Sequence, residues 1–242
     1  GWLFCILLAS AVALVIIGGI KSIAKAASRI VPSMAGLYLL SALTILMLSI
    51  DKIDDALNLI IQSAFGLGSF TGGAIGALII GFQRSAFSNE AGMGTASIAH
   101  SAVETDEPIS EGLVSLLEPF IDTMVICTLT SLVIITTLYT NDPSLGNLEG
   151  IAITSAAFAF HIDWFPVVLG IAALLFAFST AIAWAYYGLK SWTYIFGESR
   201  GSELVFKMIF CLFVCLGCMI KLPAVLDFSD AMVFVIAVPN II

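Results

Sequence analysis

A chain of 242 residues that is 60% hydrophobic and 11% charged, with a mean hydropathy of +1.09, cannot coat a soluble domain. Globular proteins carry roughly a quarter of their residues as charges, so the solvent of this chain is a bilayer. Its formal net charge of −8 weighs against nucleic acid and anionic lipid surfaces as partners, because both reward clustered Lys and Arg.

Seven apolar stretches approach the roughly 20 helical residues needed to cross the hydrocarbon core: Trp2–Ile20, Ile30–Ile50, Ala56–Phe82, Leu113–Leu138, Phe165–Gly188, Leu204–Ile220 and Val225–Ile242. Alternating strands of barrel type are not seen, and only helices or closed barrels satisfy their backbone in lipid. The expected fold class is therefore an all-α polytopic membrane protein with about seven transmembrane helices, residues 1–242 forming a single transmembrane domain. The first span has no basic segment before it and runs into "GGIKSIAK", which is unlike a signal peptide. With no initiator methionine, and a last span that stops at "VPNII", both ends are expected to be cuts through a larger membrane domain.

Loops on the cytoplasmic side carry excess Lys and Arg. Placing the first junction inside puts Lys21, Lys25, Arg29, Arg84, Lys190, Arg200 and Lys207 at cytoplasmic ends and leaves Lys52 and Lys221 outside. The five cysteines, Cys5, Cys127, Cys211, Cys215 and Cys218, all sit in apolar spans and are expected to pack rather than to bind metal.

The third span holds six glycines between Gly66 and Gly81, each costing a helix interior up to about 1 kcal/mol relative to alanine. Two readings stand: close helix packing through small residues such as Gly72 and Gly76, or a helix break at "SFTGG", Ser69–Gly73. A break at mid-membrane exposes the amides and carbonyls with which transporters hold a carboxylate or a cation. Beyond it comes a polar run in an otherwise apolar chain, "FSNEAGMGTASIAH", Phe87 to His100.

In the fourth span Glu118 and Asp122 lie near the cytoplasmic end. Thr123, Cys127, Thr130 and Ser131 continue a polar stripe up one face. Asp122 is either a structural group bonded to a neighbouring helix or part of a gate. In the fifth span Ser179 and Thr180 are adjacent hydroxyls deep in an apolar helix, and Thr180, Trp184 and Tyr187 share a face. Hydroxyls that bond back to their own helix, with aromatics at the interface, are one reading. Hard oxygen ligands for sodium beside an aromatic wall are the other. No reactive constellation argues for an enzyme: His100 and His161 fall on opposite sides of the membrane, and neither H-E-x-x-H nor G-x-S-x-G occurs.

"FQRSAFSNEAGMGTASIAHSA", "FIDTMVICTLTSLVI" and "AFSTAIAWAYYG" together resemble the alanine or glycine:cation symporter family, whose signature reads approximately R-G-x-F-S-N-E-A-G-x-G-S-A-P-x-A-H-A. The likeness runs from "GGIKSIAKAASRIVP" to "AVPN". Ser85, Thr95, Ser97 and Leu189 depart from the family pattern and bear on fine substrate preference. The resemblance implies a partial leucine-transporter-like inverted-repeat fold, this chain being similar to core helices four to ten with the N-terminal spans missing. It implies a cell-membrane symporter that moves small neutral amino acids, alanine or glycine, inward with Na⁺ as coupling ion and no cofactor. Phe70, Thr71, Gly72, Gly73, Thr180 and Trp184 would then face the substrate, and Ser179 and Thr180 the sodium ion.

The polar run looks like the cytoplasmic exit of the broken helix. Arg84 would sit at the membrane edge, Ser88 and Asn89 would cap the next short helix, Glu90 would pair with a cation such as Arg84, and Gly92 and Gly94 would allow close approach. With Asp122 these residues are expected to form an inner gate or hinge. A cation-conducting channel or a structural membrane subunit is the alternative.

Overall fold

The computed structural model describes residues 2–65, 73–90, 92–139, 148 and 150–242, and among the described residues every regular element is helical. α1 (Trp2–Ile17) leads into α2 (Gly19–Leu48), a 3-10 turn (Ile50–Lys52) and α3 (Ile53–Phe65). α4 (Gly73–Asn89) and the short α5 (Thr95–His100) follow. One apolar rod then contains α6 (Pro108–Ser115), α7 (Leu117–Pro119), a π-helical segment (Phe120–Cys127), α8 (Thr128–Ile134) and a second π-helical segment (Ile135–Tyr139). α9 (Ile151–Ala159), α10 (Phe165–Phe196), α11 (Arg200–Gly217) and α12 (Leu222–Ile241) complete the order.

Among the described residues, four helices are by themselves long and apolar enough to cross a membrane: α2, the rod that begins with α6, α10 and α12. The first expected span is the 16-residue α1 and the sixth is the 18-residue α11. The third corresponds to α3 and α4, whose described ends are Phe65 and Gly73; apart from Gly73, the "SFTGG" stretch lies outside the described residues. The helices also outrun the apolar runs. α2 begins eleven residues before Ile30, because Lys21, Lys25 and Arg29 are good helix formers whose long stems lie along a helix with their charges in water.

Proline and glycine set the helix ends. Pro108, Pro166 and Pro223 occupy the first turns of α6, α10 and α12, where the missing N–H has no helical partner to lose. Gly197, at φ +84°, ends α10 in the left-handed conformation, its amide bonded to the Thr193 carbonyl at 2.9 Å. Ser199 then caps α11 by accepting from the Ser202 amide at 3.2 Å. Pro119 stands at the start of the π-helical segment. Its ring blocks the ordinary α-helical bond to the preceding turn, and the wider turn begins at the next residue.

The chain divides into two compact units. Unit 1 comprises residues 1–34, 93–104 and 173–242. In it α1 packs along α11, and a core of Val12, Ile16, Ile23, Ile182, Ala185 and Tyr186 is closed by Ile98 of α5. Unit 2 comprises residues 35–92 and 105–172. There α8 packs on α9, with Phe158 fully buried between the rings of Tyr38 and Phe165 at centroid distances of 5.9 and 6.5 Å. In lipid this packing gains dispersion contacts rather than hydrophobic transfer energy. The many exposed Leu, Ile, Val and Phe side chains on the helix surfaces are what a hydrocarbon solvent admits.

Candidate functional site

α4 carries the first half of the polar run at its C-terminal end. Ser88 donates a hydrogen bond to the Asp122 carboxylate and its oxygen lies 3.9 Å from the Cys127 sulfur. Asn89 donates through Nδ2 to Thr123 Oγ1 at 3.1 Å. Two residues of the run thus clasp two adjacent residues of the π-helical segment. A charge-assisted bond beside a neutral one fixes both the position and the rotation of that segment within unit 2. The wide turn matters here because it keeps Asp122, Thr123 and Cys127 together on the side that α4 meets. The Arg84 guanidinium lies over the Phe87 ring at 5.9 Å, one turn before the clasp.

The capping role expected of Ser88 and Asn89 is corrected by this arrangement. α5 starts after Gly94, which offers no side chain, and Ser88 is engaged by Asp122 instead. After the clasp the backbone turns left-handed repeatedly: Glu90 at φ +54°, Gly92 at +82° and Gly94 at +80°. Glu90 is the one non-glycine with positive φ among the described residues, a conformation that disfavours a side chain with a Cβ by about 1–2 kcal/mol. At Gly94 a Cβ would stand 2.9 Å from Oδ1 of Asn240 on α12, so a larger residue there would also have to turn that side chain aside.

On α10 the two adjacent hydroxyls part company. Ser179 is buried, donates to the Phe176 carbonyl at 2.9 Å and stands 3.6 Å from the Met34 sulfur on α2. Thr180 is exposed, one residue further round the helix. Trp184, one turn on, is half-buried, its ring 6.1 Å from that of Tyr187. A hydroxyl and an indole therefore share the open side of α10 in unit 1, and Ser179 occupies the packed side. Phe70, Thr71 and Gly72 lie outside the described residues, and Gly73 opens α4.

Three contacts were not anticipated from the sequence. Tyr38 hydrogen-bonds Thr130, joining α2 to the polar stripe of α8. Ser49, buried at the end of α2, meets Nε2 of His161 at 2.6 Å, with the Phe160 ring edge-on to the imidazole and Lys52 above Phe160. Lys190 flanks a cavity in unit 1. A lone tyrosine or serine in an apolar span does signal a partner elsewhere, but one sequence does not say which.

The long apolar rods, tied by a polar clasp, define a polytopic helical membrane protein. Residues 1–242 match the family model described as the sodium:alanine symporter family, and the chain belongs to that family. It is similar to the sodium/alanine symporter AgcS of Methanococcus maripaludis, with 40% identity over 231 residues covering 95% of this chain and 51% of the relative. It is also similar to two Bacillus subtilis proteins. The amino-acid carrier protein AlsT is 35% identical over 239 residues (98% and 50% covered), and the probable sodium/glutamine symporter GlnT is 34% identical over 230 residues (94% and 47%). The chain spans about half the length of the curated relatives it matches. That is a family of transporters, not of enzymes.

Proposed function

We propose that the protein moves a small neutral amino acid, alanine or glycine, into the cell together with Na⁺ by alternating access across the cell membrane. The observation that carries this reading is the match of the whole chain to the sodium:alanine symporter family. Likeness to a sodium/alanine symporter and to an amino-acid carrier agrees with it. GlnT names glutamine, so the size of the side-chain pocket is what would separate alanine and glycine from a longer substrate. In this reading the chain forms core helices four to ten of a leucine-transporter-like inverted-repeat fold.

The exposed Thr180 hydroxyl supplies an oxygen to the sodium ion, a hard cation that favours such ligands. Trp184, one turn away, walls the amino-acid pocket. Ser179 reaches the ion only by leaving the Phe176 carbonyl and the Met34 sulfur, so its main service is to hold α10 against α2. The clasp of Ser88 and Asn89 on Asp122 and Thr123 serves as the inner gate, with Glu90, Gly92 and Arg84 forming the hinge beside it. The test is the sodium dependence of uptake by the intact protein in liposomes. Thr180→Ala should raise the half-saturating Na⁺ concentration by about tenfold, the loss of one or so kcal/mol of ligand energy. Ser179→Ala should shift it less and lower thermal stability instead. A larger Na⁺ shift from Ser179→Ala than from Thr180→Ala would contradict the assignment.

A further inference from the structure

The second half of the polar run, "TASIAH", takes no part in the clasp. As α5 it anchors through Ile98 in the core of unit 1 and forms one wall of a cavity of about 480 Å³. Ser97, Ile98, Ser101 and Ala102 line that wall; Ile20 at the start of α2 and Tyr186 and Lys190 on α10 complete the lining. All three segments lie at ends that the distribution of Lys and Arg places on the cytoplasmic side, so the cavity opens at that membrane boundary.

Its chemistry is a cation beside hydroxyls on an apolar floor. Lys190 is exposed, with its ammonium 5.9 Å from the Tyr186 ring centroid and no carboxylate partner among the described residues. Ser97 and Ser101 bond back to the Gly94 and Ile98 carbonyls at 2.7 and 2.9 Å, and rotation about Cβ–Oγ frees each hydroxyl to donate to a ligand. Next to Ile20, α2 carries Lys21, Lys25 and Arg29, four residues apart and all exposed, so they form one cationic stripe. One turn beyond Lys190, Tyr194, Ile195 and Phe196 are 92%, 70% and 61% exposed, the aromatic and apolar pattern of a headgroup boundary. The acids that follow the cavity wall in sequence, Glu104, Asp106 and Glu107, are solvent-exposed and screened.

We propose that this cavity binds the phosphate head of an anionic phospholipid, with Lys190 as its charge partner and Ser97 and Ser101 as hydroxyl donors, while the Lys21–Arg29 stripe draws anionic lipid to that flank. The apolar floor of Ile20, Ile98 and Ala102 suits the glycerol backbone and the first methylenes better than a free, fully hydrated anion. The net charge of −8 is no guide at this scale: the local potential is set by nearby charges, Lys190 in the lining and the stripe that starts at Lys21 beside Ile20.

The test is native mass spectrometry of the intact protein in mild detergent, titrated with phosphatidylglycerol and phosphatidylcholine of matched chains, and separately with inorganic phosphate. Wild type should retain phosphatidylglycerol about fivefold over phosphatidylcholine, the scale of one lysine near a lipid surface. Lys190→Gln, and Ser101→Leu which fills the cavity, should each bring the ratio close to one without moving the unfolding temperature. Equal retention of the two lipids by wild type would overturn the proposal, as would a preference that survives both substitutions. Retention of inorganic phosphate without any lipid preference would overturn the lipid assignment.

Discussion

At the scale of single residues, the most informative bond joins Ser88 to Asp122. If this charge-assisted bond closes the proposed gate, either partner alone is useless without the other, and the bond should show itself as coupling. Ser88→Ala and Asp122→Ala should each slow uptake, and the double variant should be no slower than the worse single one, a coupling of about 1 kcal/mol. Additive losses would mean that the two residues act separately. His161 answers a different question. Burial, and then the Lys52 ammonium, hold its imidazole below the ordinary value of 6.5, with Asp51 opposing. The unfolded chain therefore binds the proton more readily than the folded one. Stability should be full above about pH 6.5 and should decline as the pH falls below it. Thermal unfolding followed from pH 7.5 down to pH 5 should show that decline in wild type and a shallower one in His161→Gln; parallel profiles would contradict the account.

At the scale of elements, the π-helical segment from Phe120 to Cys127 gives the fourth span its particular geometry, and Pro119 stands at its start. Pro119→Ala restores the missing N–H and lets the turn tighten toward an ordinary α-helix. The variant should be as stable as wild type or more so, yet it should lose the coupling between residues 88 and 122 in the double-variant cycle. Unchanged coupling would show that the wide turn does not aim Asp122. The sequence disclosed the polar stripe of this span, since Asp122, Thr123, Cys127, Thr130 and Ser131 keep helical spacing. It did not disclose the π register, because a one-residue widening leaves no mark in composition, nor the short α9, whose nine residues fall below the length of a span. The capping role read into Ser88 and Asn89 failed for a similar reason. Local spacing announces a cap, but a carboxylate on another helix competes for the same hydroxyl, and only the fold brings it within reach.

At the scale of the whole molecule, composition alone named the solvent, and the apolar runs located helices at every expected span that falls within the described residues. Boundaries were less legible, since Lys21 to Arg29 are helical without being apolar, and hydropathy marks contact with lipid rather than helix ends. Ser49 meets His161, and α5 shares a cavity lining with Ile20 and Lys190, in each case segments that the expected alternation of spans puts at one membrane face. The chain belongs to a family of symporters, and sodium coupling is the central claim of the proposed function. It is tested most directly by reconstituting the intact protein in liposomes and measuring the accumulation of radiolabelled alanine with and without an inward Na⁺ gradient. The account predicts saturable accumulation above the external concentration that collapses when K⁺ replaces Na⁺; uptake that ignores the gradient, or that never exceeds equilibration, would contradict it.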